Sequence, residues 1–206
     1  TPFRKSFTCV RPKISKEAGE KLHNLLVRLP NMAADDVPVG ADDKANVVLR
    51  EAGQKRDILA PKDYLALAGS LIDTARATKV AGTRFGYLFG DMALLEFALT
   101  KLAFDTLLPK GFIPVIPPVM IKPEVFEGMG RLTPEQKGER YHVAQDNVYL
   151  VGSAEHSIGP LHMDEVLDEK DLPKRYLGFS TCFRREAGSY GKDTKGILRV
   201  HQFDKV

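Results

Sequence analysis

The chain has 206 residues, 43% apolar and 28% charged, the make-up of a soluble globular protein of about one domain. Its formal charge of +3 permits a nucleic-acid partner without arguing for one, and its two cysteines, Cys9 and Cys182, exclude a disulfide framework and point to a reducing, cytoplasmic home. No apolar run approaches the ~20 residues of a membrane span, and residues 6–10 are too short for the core of a signal peptide.

Residues 1–12 carry no period and read as an irregular lead-in. From Ser15, a candidate cap, apolar Ala18, Leu22, Leu25, Leu26 and Leu29 recur at helical spacing until Pro30 stops them. Residues 31–43, acidic and bearing Pro38 and Gly40, form a linker, and residues 45–51 predict a short strand. A helix is expected over residues 61–75 and a glycine-interrupted strand pair over 80–89. Residues 92–108 predict the longest helix, whose polar stripe shrinks to Glu96, Lys101 and Asp105. A helix this apolar belongs in a core or at a subunit interface.

Gly111 is placed to close that helix in the left-handed conformation. Pro114, Pro117 and Pro118 confine residues 112–120 to an edge strand or a strand end. A helix and an excursion are expected over residues 122–145, then a strand at 147–151. The tripeptide Ser153-Ala154-Glu155 turns that strand into a helix predicted to reach about residue 167. Ser153 and Glu155 read either as a cap and a first-turn carboxylate or as a hydroxyl and carboxylate facing a ligand's ammonium group.

The chain then makes its most distinctive passage. Residues 176–183 and 197–203 read as the strands of a long hairpin, and Gly188, Ser189, Gly191, Asp193 and Gly196 supply turn formers between them. Arg184 and Glu186, at i and i+2, are expected on one face of the first strand, a clamp for a polyanion, with Phe203 opposite as a flat apolar plate. Other chemistries fit poorly. His156, His162 and His201 lack metal-ligand spacing, Ser153, Ser157 and Ser189 lack a nucleophile elbow, and Gly82, Gly86 and Gly90 form no phosphate loop. Asp164, Glu165, Asp168 and Glu169 read as a solvated acidic face.

The run Phe183-Arg184-Arg185-Glu186-Ala187-Gly188-Ser189, continued by Asp193-Thr194-Lys195-Gly196 and Arg199-Val200-His201-Gln202-Phe203, closely resembles motif 2 of the class II aminoacyl-tRNA synthetases in its seryl form. Gly111-Phe112 through Val115 to Pro117-Pro118 resembles motif 1, the dimer-interface strand. Ser153-Ala154-Glu155 falls where that family has a Thr-x-Glu serine-binding loop, and Val37-Pro38-Val39-Gly40 and Val80-Ala81-Gly82-Thr83-Arg84-Phe85 also look like stretches of that family.

The resemblance implies an α+β fold, a class II antiparallel sheet flanked by helices, with residues 1–30 the end of an N-terminal tRNA-binding helical arm and residues 31–206 a partial catalytic domain. It implies that L-serine and ATP give seryl-adenylate, that the seryl group passes to the 3' end of tRNA(Ser), and that the protein is a homodimer through the motif 1 region. Carried over, Arg184 is the α-phosphate clamp and Glu186 a polar contact with ATP. Arg185, Arg199, Val200, His201 and Gln202 line the nucleotide, and Phe203 stacks on adenine. Ser153, Ala154 and Glu155 hold serine. Ser153 stands where the family has threonine, which keeps the hydroxyl. The family's serine-binding glutamate would follow Val206, and motif 3 and the Mg2+ ligands are expected beyond it, so the chain reads as part of a longer protein, less than fully active alone. The alternative is a paralogue that has lost tRNA charging.

Overall fold

The computed structural model describes residues 11–26, 29, 32–55, 57, 60–186 and 195–206. The chain forms two units, residues 1–62 and 63–206. In the first, helix α1 spans Arg11–Leu26, so it takes in the end of the expected lead-in, and a single 3-10 turn follows at Asp43–Ala45, capped by the Asp42 carboxylate. The strand predicted at residues 45–51 does not form: Val47, Val48 and Leu49 are exposed coil, with no neighbouring strand among the described residues to take their backbone groups.

The second unit opens with α2 (Tyr64–Ala68), capped by Asp63. The helix predicted to run to residue 75 breaks at Gly69, which adopts φ +56°, and strand β1 (Ile72–Asp73) and helix α3 (Thr74–Ala81) follow. Asp73 caps α3 through the Arg76 N–H at 2.8 Å. The predicted strand pair over 80–89 shrinks to β2 (Tyr87–Leu88), antiparallel to β1. Helix α4 spans Asp91–Leu107, and Gly111 closes the following turn in the left-handed region, φ +81°, as expected.

Strands β3 (Ile113–Val115) and β4 (Met120–Ile121) flank the two prolines. Helix α5 (Pro123–Gly128) and helix α6 (Pro134–Lys137), the latter with a Thr133/Gln136 capping box, precede β5 (His142–Val143) and β6 (Val148–Leu150). Helix α7 covers only Glu155–Ile158; Gly159 still donates to the Glu155 carbonyl, but Pro160 has no N–H with which to carry the helix toward residue 167. Strands β7 (Tyr176–Gly178), β8 (Ser180–Phe183) and β9 (Gln202–Lys205) complete the unit.

The strands pair as β1–β2, β4–β6–β5 and β8–β9, all antiparallel, while β3 runs parallel to β7. Phe126, Val151, Ile121, Leu132 and Tyr149 form the core beneath β4–β6–β5. Backbone bonds then carry order outward: the Phe183 N–H donates to the Val151 carbonyl at 2.8 Å, and the Val151 N–H to that of Val119 at 2.8 Å. The site is built on this seam.

The apolar helix α4 has no buried residue in this chain. Of the two expectations for it, a place in this chain's own core fails. Among the described residues nothing covers Leu94, Phe97 or Leu102, which are exposed.

Candidate functional site: an arginine and a serine–glutamate niche on one strand seam

The hairpin is shorter than predicted. Strand β8 ends at Phe183, and Gln202 opposite Phe183 is the first paired residue of the return. One further bond prolongs the pairing, from the Arg184 N–H to the His201 carbonyl at 2.9 Å. Residues 196–201 are turn and bend instead of strand, because the His201 N–H donates to the Arg84 carbonyl instead of to β8. Gly188, Ser189, Gly191 and Asp193 lie outside the described residues. The returning limb is held by α2: the Tyr64 hydroxyl accepts from the Ile197 N–H at 2.7 Å and donates to the Lys195 carbonyl, while Lys195 pairs with Asp63.

Arg184 and Glu186 do not share a strand face. Glu186 adopts φ +52°, which ends the two-residue alternation. Its carboxylate accepts from Arg199 Nε at 2.6 Å, and its carbonyl accepts from Arg84 Nη1 at 2.8 Å. Glu186 thus pins together the two limbs and the α3–β2 connection. Arg199 is brought to the site as its partner.

Arg184 turns the other way. Its Nε donates to the Gly152 carbonyl at 3.0 Å, and its guanidinium lies over the Phe203 ring, 5.3 Å from the centroid. Of the clamp expected from sequence, Arg184 alone meets the plate. Gly152 leaves room for two arginines: a Cβ there would stand 2.5 Å from Arg140 Nη1, which would have to shift, and 3.4 Å from Arg184 Cγ.

Ser153, next in the chain, is buried, and its hydroxyl accepts from Lys205 Nζ at 3.0 Å. Glu155 Oε1 lies 3.5 Å from the same ammonium. These three residues and Ala154 line a cavity of about 520 Å³, together with Phe112 and Tyr176. His156 fixes the turn from below, accepting the Gly152 N–H on Nδ1 at 3.2 Å, and the Ser157 hydroxyl donates to the Pro118 carbonyl at 2.6 Å. Burial, then the charge of Arg140, pulls His156 from 6.5 to about 4, so it stays neutral and can accept.

Strand β9 presents two faces. Asp204 accepts from the Thr181 hydroxyl at 2.6 Å and, after burial itself, its charge is what raises the Glu96 carboxyl above the usual range. A second cavity, of about 620 Å³, lies between α3, α4 and this strand; it is lined by Val200, Gln202 and Phe203, but not by Arg184, Glu186, Ser153 or Glu155. Phe203 also lies under Arg184, and Lys205, two residues further on, reaches Ser153. Arg185 is exposed, its N–H donating to the Glu139 carbonyl, and the His201 ring accompanies Phe85 at 5.3 Å.

Arg140 and Lys205 were not singled out in the sequence. The Arg140 guanidinium stacks over Phe126 at 5.4 Å; burial, then the charges of Arg184 and Arg131, pull it below the usual arginine range, and it remains a cation at neutral pH. Its Nε has no hydrogen-bond partner among the described residues. Local pattern gives no signal for Arg140, whereas Lys205 lies two residues after Phe203, where strand alternation puts it on the same face.

Among known proteins, residues 141–206 match the family model of the tRNA synthetase class II core domain (G, H, P, S and T). Together with the site's frame, this makes residues 141–206 similar to the core domain of the class II tRNA synthetases. The chain is similar to the serine--tRNA ligase of Acidothermus cellulolyticus, 49% identical over 92% of this chain and 46% of the relative. Two solved structures share its fold. The seryl-tRNA synthetase from Pyrococcus horikoshii complexed with ATP is 41% identical, with TM-score 0.85, over 95% of this chain and 48% of that one. The cytoplasmic serine-tRNA ligase from Naegleria fowleri in complex with AMP is 31% identical, with TM-score 0.84, over 94% and 47%. The chain spans about half the length of the curated relatives it matches.

Proposed function

We propose that this chain carries the amino-acid- and ATP-binding half of a serine–tRNA ligase. The observation that supports this best is the contact of Arg184 with both Phe203 and Gly152, the residue before Ser153. A guanidinium, an aromatic plate and a hydroxyl–carboxylate niche then stand side by side, as a nucleotide joined to a small amino acid requires.

In the reaction, a serine carboxylate oxygen attacks the α-phosphorus of ATP, the bond to the pyrophosphate oxygen breaks, and seryl-adenylate and pyrophosphate result. Arg184 meets the charge that builds on the α-phosphate, an interaction stronger in the transition state than in the ground state. Phe203 stacks on adenine, with Val200, His201 and Gln202 along the nucleotide. Arg185, Glu186 and Arg199 complete the ATP site, the last two as a paired strut that sets the limbs of the loop. Ser153, Ala154 and Glu155 take the serine ammonium. A terminal ribose hydroxyl of tRNA(Ser) then attacks the seryl carbonyl and releases AMP. Positioning and electrostatics supply the rate, without a protein nucleophile. The Mg2+ that the resemblance implies is assigned to no residue of this chain.

The arm, the dimer and the compartment belong to the same reading. Residues 1–30 end a tRNA-binding helical arm, residues 31–206 belong to the catalytic domain, and the uncovered face of α4 together with the motif 1 strand meets a second copy. The protein works in the cytoplasm; among the described residues no helix is long and apolar enough to cross a membrane. Serine-dependent ATP–pyrophosphate exchange by the full-length protein, followed by charging of tRNA(Ser), tests the proposal. Exchange that depends on another amino acid would overturn it. Exchange without charging would favour the paralogue.

A further inference from the structure

The amino-acid niche already holds a positive charge. Lys205 Nζ lies 3.0 Å from the Ser153 hydroxyl and 3.5 Å from Glu155 Oε1, so the ammonium of the protein's own lysine makes the contacts assigned above to the ammonium of the substrate. Two ammonium groups side by side on one hydroxyl and one carboxylate repel each other. That repulsion favours movement of Lys205 when an amino acid enters.

We propose that Lys205 is a resident cation that exchanges roles with the substrate: it yields Ser153 and Glu155 to the incoming ammonium and pairs with the carboxylate attached to the same carbon. The proposal rests on the reading of Ser153 and Glu155 as the ammonium site. Three features of the chain make the exchange easy. The Lys205 and Glu155 side chains are 38% and 73% exposed, so their ion pair is a solvent-screened contact, weakly held and readily replaced. Lysine carries its charge on a flexible four-carbon stem with three rotatable donors, and can swing without moving the strand. The register of β9, with Lys205 opposite Ser180, keeps its backbone fixed while the side chain moves.

The destination follows from the geometry. Phe203 and Lys205 leave the same face of β9, about 7 Å apart along the strand, and Arg184 lies over Phe203. Lys205 thus stands beside the niche, two residues from the ring over which the Arg184 guanidinium lies. A zwitterion whose ammonium enters between Ser153 and Glu155 brings its carboxylate beside Lys205, on the way to Arg184. Lys205 then orients the attacking carboxylate, and in the ligand-free protein it keeps Glu155 neutralised. It selects for an amino acid over a plain amine, because an amine displaces the lysine without offering it a new partner.

The test uses calorimetric titration of the full-length protein, in the presence of a non-hydrolysable ATP analogue, with L-serine and with serinol, which has the same ammonium and hydroxyl groups but no carboxylate. The variant Lys205→Met should weaken L-serine about tenfold or more and leave serinol unchanged or tighter, while Lys205→Arg keeps most of the preference for serine. Parallel weakening of both ligands, as a merely structural role would give, overturns the proposal, and so does an unchanged affinity for serine. Glu155→Gln serves as the control and should weaken both ligands. If it leaves both at wild-type affinity, the ammonium-site reading itself falls, and the role of Lys205 with it. If it weakens both while Lys205→Met leaves serine untouched, only the exchange is wrong.

Discussion

Arg184 Nε donates to the Gly152 carbonyl at 3.0 Å, and this bond joins the residue that begins the motif 2 loop to the turn that delivers Ser153. Two segments more than thirty residues apart are thereby set in one frame. Removing the guanidinium in Arg184→Ala should lower the rate of serine-dependent pyrophosphate exchange at least about a hundredfold, the usual cost of losing one preorganised donor at a developing charge. Arg184 is exposed, so the melting temperature should barely move. An exchange rate near wild type would remove Arg184 from the reaction.

The plate beneath that guanidinium should act on binding more than on chemistry. In Phe203→Ala the Arg184 side chain loses its support, and in the proposed reading adenine loses its stacking surface. The KM for ATP should rise by the equivalent of about 1–3 kcal/mol, with a smaller effect on kcat. Unaltered ATP affinity in the variant would place the base away from Phe203.

His156 gives the fold an acid-sensitive point directly under the niche. The group has an ordinary value of 6.5 and is held at about 4 by burial and by Arg140. Between those values the unfolded chain takes up a proton that the folded chain does not. Stability is therefore complete above about pH 6.5 and falls as the pH drops toward 4, by at most about 3 kcal/mol. Urea unfolding at pH 7.5 and pH 5 should show this loss in the wild type and a smaller one in His156→Gln, whose amide oxygen can still accept from Gly152. Equal losses in the two proteins would show that the histidine does not titrate on unfolding.

Local chemistry made some of this legible. Turn and cap residues such as Gly111 carry their conformation with them, and the proline-rich stretch announced an edge position, which β3 and β4 occupy. Residue chemistry beside a run of turn formers brought Arg184, Glu186 and Phe203 to attention, and the resemblance to motif 2 added Arg199. Contacts between distant segments were not legible. Strand alternation placed Arg184 and Glu186 on one face, yet a single positive φ at Glu186 turned its carboxylate toward Arg199 instead. The valines and leucine at 47–49 had strand propensity but no partner edge, and propensity without a ladder leaves coil. Arg140 depends on a glycine twelve positions later for its space, which no local window reveals.

Helix α4 carries the last expectation. Leu95, Leu99 and Leu102 recur at i, i+4 and i+7, so they form one stripe, and they are 49%, 57% and 61% exposed in this chain. An apolar stripe on so long a helix marks an interaction surface, and the motif 1 strand that follows α4 suits a symmetric partner of the same kind. Sedimentation equilibrium of the wild type at micromolar concentration should give a dimer, and Leu99→Glu should give a monomer with the wild-type helical circular dichroism, since Leu99 supports no core of its own chain. A wild type that stays monomeric at high concentration, or a Leu99→Glu dimer of unchanged affinity, would leave α4 without its second copy.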